Sequence, residues 1–293
     1  IYDTFESGSI DPAWQNWREG PYAIVNDNNR HSQSTKTLRA DFADDTMHIF
    51  VLGEGVGYVG KWYTRYYFKF ASNLNWDDPA RGTNPGGPYD NIKVWRASHD
   101  PWSTDHFCNI YWAWREDTSG SYFGIEGSPS PNLYTGLNPK RDVTLDVWHS
   151  IDIAYSENSA IDEPDGCVTV WFDDKQIGTW SNVITSTTAY PGRAKYLMIA
   201  AGMHCGWGRA SESTYFWMDD IYIDRSWARV MLGDKSTFSS CTLREIQIPT
   251  AWSSSSITFT ANQGSFADGE QAYLYVIDEN GKSQIIVGAQ PVE

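Results

Sequence analysis

The sequence predicts an all-β protein, a two-sheet sandwich over residues 1–226 followed by a smaller β module over 227–293. Three observations predict it. Short runs rich in Tyr, Trp, Thr, Val and Ile recur along the chain, and these residues favour the pleated, half-buried surface of a strand. Clusters of Gly, Pro, Asn and Asp punctuate the runs. No segment sustains a 3.6-residue apolar period, so no long helix is expected.

The runs fall at 21–26, 36–42, 46–52, 61–70, 90–97, 107–115, 121–126, 147–155, 167–173, 195–203 and 214–224. So many short strands in one domain suit two packed sheets. Two connections, 71–89 and 127–146, are long enough to suggest a functional rim. The texture changes near residue 225. Aromatics thin out, Ser and Gln rise around Ala251–Ser256, and strands are expected at 228–232, 242–248, 256–261, 271–277 and 284–288. A turn is expected at Glu279–Lys282. The pattern reads as a small immunoglobulin-like module, too short to be fully independent of its neighbour.

Composition narrows the function. The chain holds 15 Trp and 17 Tyr, more than one core needs, and exposed indole and phenol faces suit stacking on sugar rings. A net charge of −15 argues against a nucleic-acid binder, which needs a basic footprint. No apolar run is long enough for a membrane helix. The opening Ile1-Tyr2-Asp3-Thr4-Phe5 is what a secreted protein presents after leader removal, and the four cysteines Cys108, Cys167, Cys205 and Cys241 fit two disulfides, with free buried thiols as the alternative. Secretion and a monomeric state are expected.

Strand alternation then nominates a surface. In Lys61–Phe70, Tyr63, Arg65, Tyr67 and Lys69 share one face, expected to be solvated, while Trp62, Thr64, Tyr66, Phe68 and Phe70 take the other. In the next strand Asn91, Lys93 and Trp95 share a face. In 107–115 the polar set is Asn109, Tyr111 and Arg115. If these strands neighbour one another they form a basic, aromatic strip within an acidic protein, the alternative being an ordinary outer face. Trp171 and His204, the latter at a strand end, are further candidates. His48 sits mid-strand among apolar neighbours, where a structural role competes with a chemical one. No H-x-H or H-x-x-x-H pair suggests zinc or copper. Gly53–Gly57 is followed by a strand rather than a helix, the wrong context for a phosphate loop. The paired carboxylates of a retaining glycosidase, as E-x-D-x-x-E, are missing.

Asp219-Asp220 interrupts the apolar run Tyr215–Ile223, where unpaired carboxylates are unfavourable. With Asp3 or Glu6 they could bind calcium through oxygen ligands, or accept hydrogen bonds from loop backbone instead.

The motifs Asp3-Thr4-Phe5-Glu6-Ser7-Gly8, Met47-His48-Ile49-Phe50, Tyr63-Thr64-Arg65-Tyr66-Tyr67, Asp165–Asp173 and Trp217-Met218-Asp219-Asp220-Ile221 resemble, in order and spacing, the glucuronan lyases and related cellulose-induced secreted jelly-roll proteins. The resemblance spans about residues 1–224. It implies a concanavalin-like β-jelly-roll with a glycan cleft and a structural Ca2+, whose matching positions are Glu6, the turn Ser32-Gln33-Ser34-Thr35 (Ser32 and Thr35 supplying ligands) and Asp219. The strand His and Arg of the family correspond to His48 and Arg65.

The function expected is therefore a polysaccharide lyase acting on a uronate polymer by β-elimination. His48 or Tyr67 would be the base, Arg65 with Asn91 would neutralise the carboxylate, and Tyr111 would be the acid. Tyr63, Lys69, Lys93, Trp95, Asn109, Arg115, Trp171 and His204 would bind the polysaccharide, expected to be anionic. A non-catalytic carbohydrate-binding module is the alternative, and a β-glucan hydrolase a weaker one.

Overall fold

A computed structural model describes residues 1–10, 14–16, 22–26, 29–31, 33–41, 50–52, 60–74, 90–98, 110–117, 120–126, 133–189, 191–192, 194, 196–199, 203–204 and 215–292. The first strands are β1 (Tyr2–Asp3), β2 (Trp14–Asn16), β3 (Tyr22–Val25), β4 (Thr37–Asp41), β5 (Phe50–Leu52), β6 (Lys61–Phe70) and β7 (Asp90–Ser98). Then come β8 (Ile110–Asp117), β9 (Gly120–Glu126), β10 (Leu133–Tyr134), a single helical turn α1 (Pro139–Asp142), β11 (His149–Ser156), β12 (Gly166–Phe172) and β13 (Lys175–Val183). β14 (Tyr196–Ile199), β15 (Met203–His204) and β16 (Tyr215–Asp224) complete the larger unit. The C-terminal segment adds β17 (Arg229–Gly233), β18 (Arg244–Trp252), β19 (Ile257–Thr260), β20 (Gln271–Ile277) and β21 (Ser283–Pro291), one strand at each expected place. No helix among the described residues is long and apolar enough to cross a membrane.

The strands make three sheets. The first runs β13-β12-β11-β6-β16-β4-β3, with β1 added on β16. The second runs β10-β9-β8-β7-β14-β5-β2, with β15 added on β7. Every strand pair is antiparallel, and the two sheets enclose one core, giving the all-β jelly-roll sandwich that the sequence predicts. The third sheet, β19-β18-β17-β20-β21, is built from the C-terminal segment.

Alternation in β6 builds the main core. Trp62, Tyr66, Phe68 and Phe70 join Trp95, Leu197, Ile199, Phe216 and Met218 there, Phe68 stacking on Phe216 at 5.9 Å. Each such side chain contributes roughly 1.5–3 kcal/mol by leaving water. Trp95 Nε1 donates to Thr64 Oγ1 at 3.1 Å, tying the second sheet to the first across the core.

Two β-bulges redirect side chains. In β7 the pairing to β8 slips between Lys93 and Trp95, leaving Val94 as the extra residue. A bulge reverses strand alternation beyond it, so Trp95, expected beside Asn91 and Lys93, points into the core and is 1% exposed. In β16 the pairing to β6 slips between Asp219 and Tyr222. Met218 and Ile221 both face the core, so Asp219 and Asp220 are both released to the outer side, with Asp220 at φ 48°.

β13 was not anticipated. It is an edge strand with mostly exposed residues and carries no apolar alternation. Its turn from β12 uses Asp173 and Asp174, both with positive φ (46° and 62°), where Asn-Gly is the usual choice. Both side chains are employed: Asp173 accepts from Ser150 N at 2.9 Å and pairs with His149 Nδ1 at 2.7 Å, and Asp174 reaches into a buried charge network.

The two-disulfide expectation does not hold for Cys167 and Cys241, which are free thiols; Cys108 and Cys205 lie outside the described residues. Of the two long connections, 75–89 and 127–132 also lie outside them, while 133–146 carries β10 and α1.

Candidate functional site

The sandwich has two outer faces, and the sequence-predicted residues divide between them. Tyr63, Arg65, Tyr67 and Lys69 share the outer face of the first sheet, as alternation requires, but that face is not solvated. The third sheet covers much of it: Tyr63, Ala154 and Tyr222 form a second apolar cluster with Met231, Ile246, Tyr275 and Ile277. Arg65 is 0% exposed. Its guanidinium donates to Asp152 Oδ2 at 2.7 Å, Asp174 Oδ1 at 2.9 Å, Tyr67 Oη at 2.7 Å and the Arg244 carbonyl at 2.6 Å. Tyr67 donates to Glu245 Oε2 at 2.9 Å, and burial pushes its phenol well above the usual range. Tyr63 donates to Asp152. Lys69 is buried near Asp146, at 3.4 Å, between the rings of Trp217 and Trp148.

This corrects the expectation of a solvated groove along β6. Arg65 and Tyr67 are sealed in a neutralised junction, where neither can meet a polymer. The reason is physical: a charged face can be covered when the covering layer brings complementary charge, and β18 brings Glu245 and the Arg244 carbonyl. Arg30 completes the junction by bridging Asp220 and Glu245, with its guanidinium 3.7 Å from the centre of the Tyr67 ring.

The second sheet is ordered by its strand register. β7 and β8 pair Trp95 with Trp112. Tyr111, Ala113 and Arg115 lie at alternate positions of β8. Their cross-strand partners are Arg96, Lys93 and Asn91 respectively. β15 places His204 opposite Asn91, and β9 places Tyr122 opposite Arg115. The register thus brings Asn91, Lys93, Arg96, Tyr111, Arg115, Tyr122 and His204 to neighbouring positions on four strands. Arg96 enters this set because the bulge at Val94 brings it opposite Tyr111, a pairing that strict alternation does not anticipate. Tyr122 was missed because its strand was read without its partners. His48 and Asn109 lie outside the described residues. Trp171 belongs to neither patch; half-buried on β12, it lines a cavity between the first and third sheets.

The acidic corner is a third cluster. Three of the four positions implied by the resemblance meet here, and Ser32 lies outside the described residues. Glu6 Oε1 accepts from Thr35 N at 2.8 Å and Lys36 N at 2.9 Å, and Thr35 Oγ1 donates to Glu6 Oε2. Ser34 Oγ lies 2.8 Å from Asp219 Oδ2 and 3.5 Å from Glu6 Oε1, joining the two carboxylates. Asp219 is fully buried and hydrogen-bonds to neutral donors, Ser34 Oγ and Asp220 N; burial and the neighbouring Asp220 push it up to about 8. Burial opposes ionisation of Asp220 too, but Arg30, His31 and Tyr2 hold it down at about 2. The donor set at Glu6, Ser34, Thr35 and Asp219 is all oxygen with one buried carboxylate short of positive charge, which fits a hard cation such as Ca2+. No group of three or more His, Cys, Asp or Glu suited to a metal occurs among the described residues, so such an ion would need the hydroxyls.

No protein-family model and no curated protein matches the chain in sequence. Solved structures do match in fold. The alginate lyase Aly36B superposes with a TM-score of 0.51 at 13% identity, over 72% of this chain and 85% of that one. The endo-β-1,4-glucuronan lyase of the fungus Trichoderma reesei gives 0.50 at 13% identity, over 76% and 94%. A double variant of Aly36B in complex with alginate trisaccharide gives 0.50 at 13% identity, over 76% and 96%. The chain therefore has a polysaccharide-lyase-like fold.

Proposed function

We propose that this protein is a lyase that cleaves a uronate-containing polysaccharide by β-elimination on the outer face of its second sheet. The observation that carries the reading is the strand register that sets Asn91, Lys93, Arg96, Tyr111, Arg115, Tyr122 and His204 at neighbouring positions of four strands, a basic and aromatic set in a protein of net charge −15. A polyanion is drawn to such an island of positive charge. The fold shared with alginate and glucuronan lyases supports the substrate class.

The chemistry needs three functions. A base removes the proton beside the uronate carboxylate, the carboxylate charge is neutralised as electrons move towards it, and an acid protonates the departing glycosidic oxygen as the ring double bond forms. Asn91, Lys93 and Arg115 supply neutralisation. His204 serves as base and Tyr111 as acid. Calcium at Glu6, Ser34, Thr35 and Asp219 would be structural, fixing the N-terminal segment to β16 and supplying no step. A secreted, monomeric protein is consistent with this role.

The test is to incubate the folded protein with glucuronan, alginate and other polyuronates and follow the absorbance of the unsaturated product. Absorbance rising on at least one of them is expected; reducing ends without it would indicate hydrolysis and overturn the reading.

A further inference from the structure

A cavity of about 360 Å³ opens where the first and third sheets meet, on the opposite side of the sandwich from the patch just described. That volume lies within the usual span for small-molecule sites, roughly 300–1,000 Å³. Its apolar walls are aromatic: Trp171 from β12, Trp227 from the segment joining the two units, and Phe238 from the turn after β17. Its charged groups are two arginines, Arg229 and Arg244, against one carboxylate, Asp174.

The positive charge is not fully compensated. Asp174 is already shared, accepting from Arg65 Nη1 at 2.9 Å and from Arg244 Nε and N at 2.9 and 3.0 Å. Arg244 is 2% exposed, and its Nη2 makes no hydrogen bond, Asp152 being 3.7 Å away. Arg229 donates to the Trp227 carbonyl and Met231 Sδ, and lies over the Tyr63 ring at 3.9 Å instead of against a carboxylate. Burial lowers its pKa, and Arg244 and Arg65 push the same way against Tyr63 and Asp152. At the mouth stand the exposed residues Gln176, Thr179 and Asn280.

We infer that this cavity is a second, non-catalytic carbohydrate site that takes one uronate residue of an acidic oligosaccharide. The guanidinium of Arg244 would receive the carboxylate, since planar two-pronged recognition of carboxylates is what arginine does best. The indoles and Phe238 offer flat apolar faces to the sugar ring, and the amides and hydroxyl at the mouth offer partners for its hydroxyls. The choice of a uronate among carboxylate ligands rests on the polyuronate reading above; the charge and the rings of the cavity do not. With the lyase face on the other side, the protein would hold polymer at two places and raise the effective concentration of chain at the cleaving face.

Calorimetric titration of the full chain with a uronate trisaccharide, in parallel with a neutral β-glucan trisaccharide, tests this. Two uronate trisaccharides per chain are expected, and no binding of the neutral one at the cavity. Thr179→Glu and Gln176→Glu put negative charge at the mouth on exposed positions, so the fold should hold, as a melting curve will verify. Each should weaken one of the two binding events tenfold or more without altering product release from short substrates. Wild-type binding at both sites in these folded variants would overturn the inference, as would equal affinity for the neutral sugar. Failure of the lyase reading looks different: no unsaturated product is released, while Thr179→Glu still weakens binding.

Discussion

In the first sheet Tyr63, Arg65, Tyr67 and Lys69 share the outer face, and in the second Asn91, Lys93, Tyr111 and Arg115 hold alternate register positions of β7 and β8. In sequence they look alike, with arginine, lysine and tyrosine at alternate strand positions. In the fold the first is roofed by β17–β21, and its charges are consumed by Asp152, Asp174 and Glu245. The difference teaches that alternation reports which residues share a face, whereas the layer above decides whether that face is a site or an interface.

The largest expected effect sharpens this contrast. Arg65→Ala leaves Asp152 and Asp174 with one guanidinium fewer inside a dry junction, and removing one partner of a buried pair costs about 3–5 kcal/mol. Urea unfolding should show a loss of that size. Near-wild-type stability would break the contrast, because it would mean that the face is solvated after all. Next in size is the acidic corner. Excess chelator should lower the melting temperature, since a cation bound at a hundred times its dissociation constant adds about 2.7 kcal/mol. An unchanged curve would remove calcium from the account.

Lys93→Ala and Arg115→Ala probe the other face. Each should leave stability within about 0.5 kcal/mol, as surface substitutions usually do. Each should also weaken polyuronate binding by roughly tenfold, or about 1.4 kcal/mol. Loss of folding with either variant would place these residues in an interface, like Arg65.

The smallest effect is a pH dependence within the third sheet. Asp234 accepts from Thr242 N at 2.8 Å, Leu243 N at 3.1 Å and Thr242 Oγ1 at 2.7 Å. Burial raises its pKa, but these donors and Lys235 together outweigh it and hold the carboxyl well below the usual carboxylate range. A depressed folded-state value means that its contribution is fully present above the unfolded value, ~3.9, and is lost as pH falls through the folded one. Asp234→Asn should therefore flatten the acid limb of the melting-temperature profile below about pH 4, and an unaltered limb would assign the acid sensitivity elsewhere.

Most of the fold was legible in the sequence. Tyr- and Trp-rich alternation located nearly every long strand, because both β6 and β16 bury one full face in the core. β13 was not legible, since an exposed edge strand has no buried side to impose a pattern. The candidate site was legible in part. Asn91, Lys93, Tyr111, Arg115 and His204 fall at neighbouring register positions of β7, β8 and β15, whereas Trp95 turns into the core past the bulge at Val94. Nothing in the residues of β7 themselves signals that bulge. Nor could β6 reveal that Glu245, 178 residues away, would arrive to accept from Tyr67. The paired carboxylates Asp219 and Asp220 did mark their own bulge, since two adjacent acids in an apolar strand are tolerable only when both are turned out of the core.

If β-elimination takes place on the second sheet's outer face and not on the first, the base and the acid proposed there must each be indispensable. The most direct measurement is the initial rate of unsaturated-product formation by wild-type protein and by folded Tyr111→Phe and His204→Ala variants on the best polyuronate. The account predicts a fall of about 10²–10⁴-fold for each variant, the usual worth of a general acid or base, at an unchanged melting temperature. Wild-type rates in both variants would contradict it.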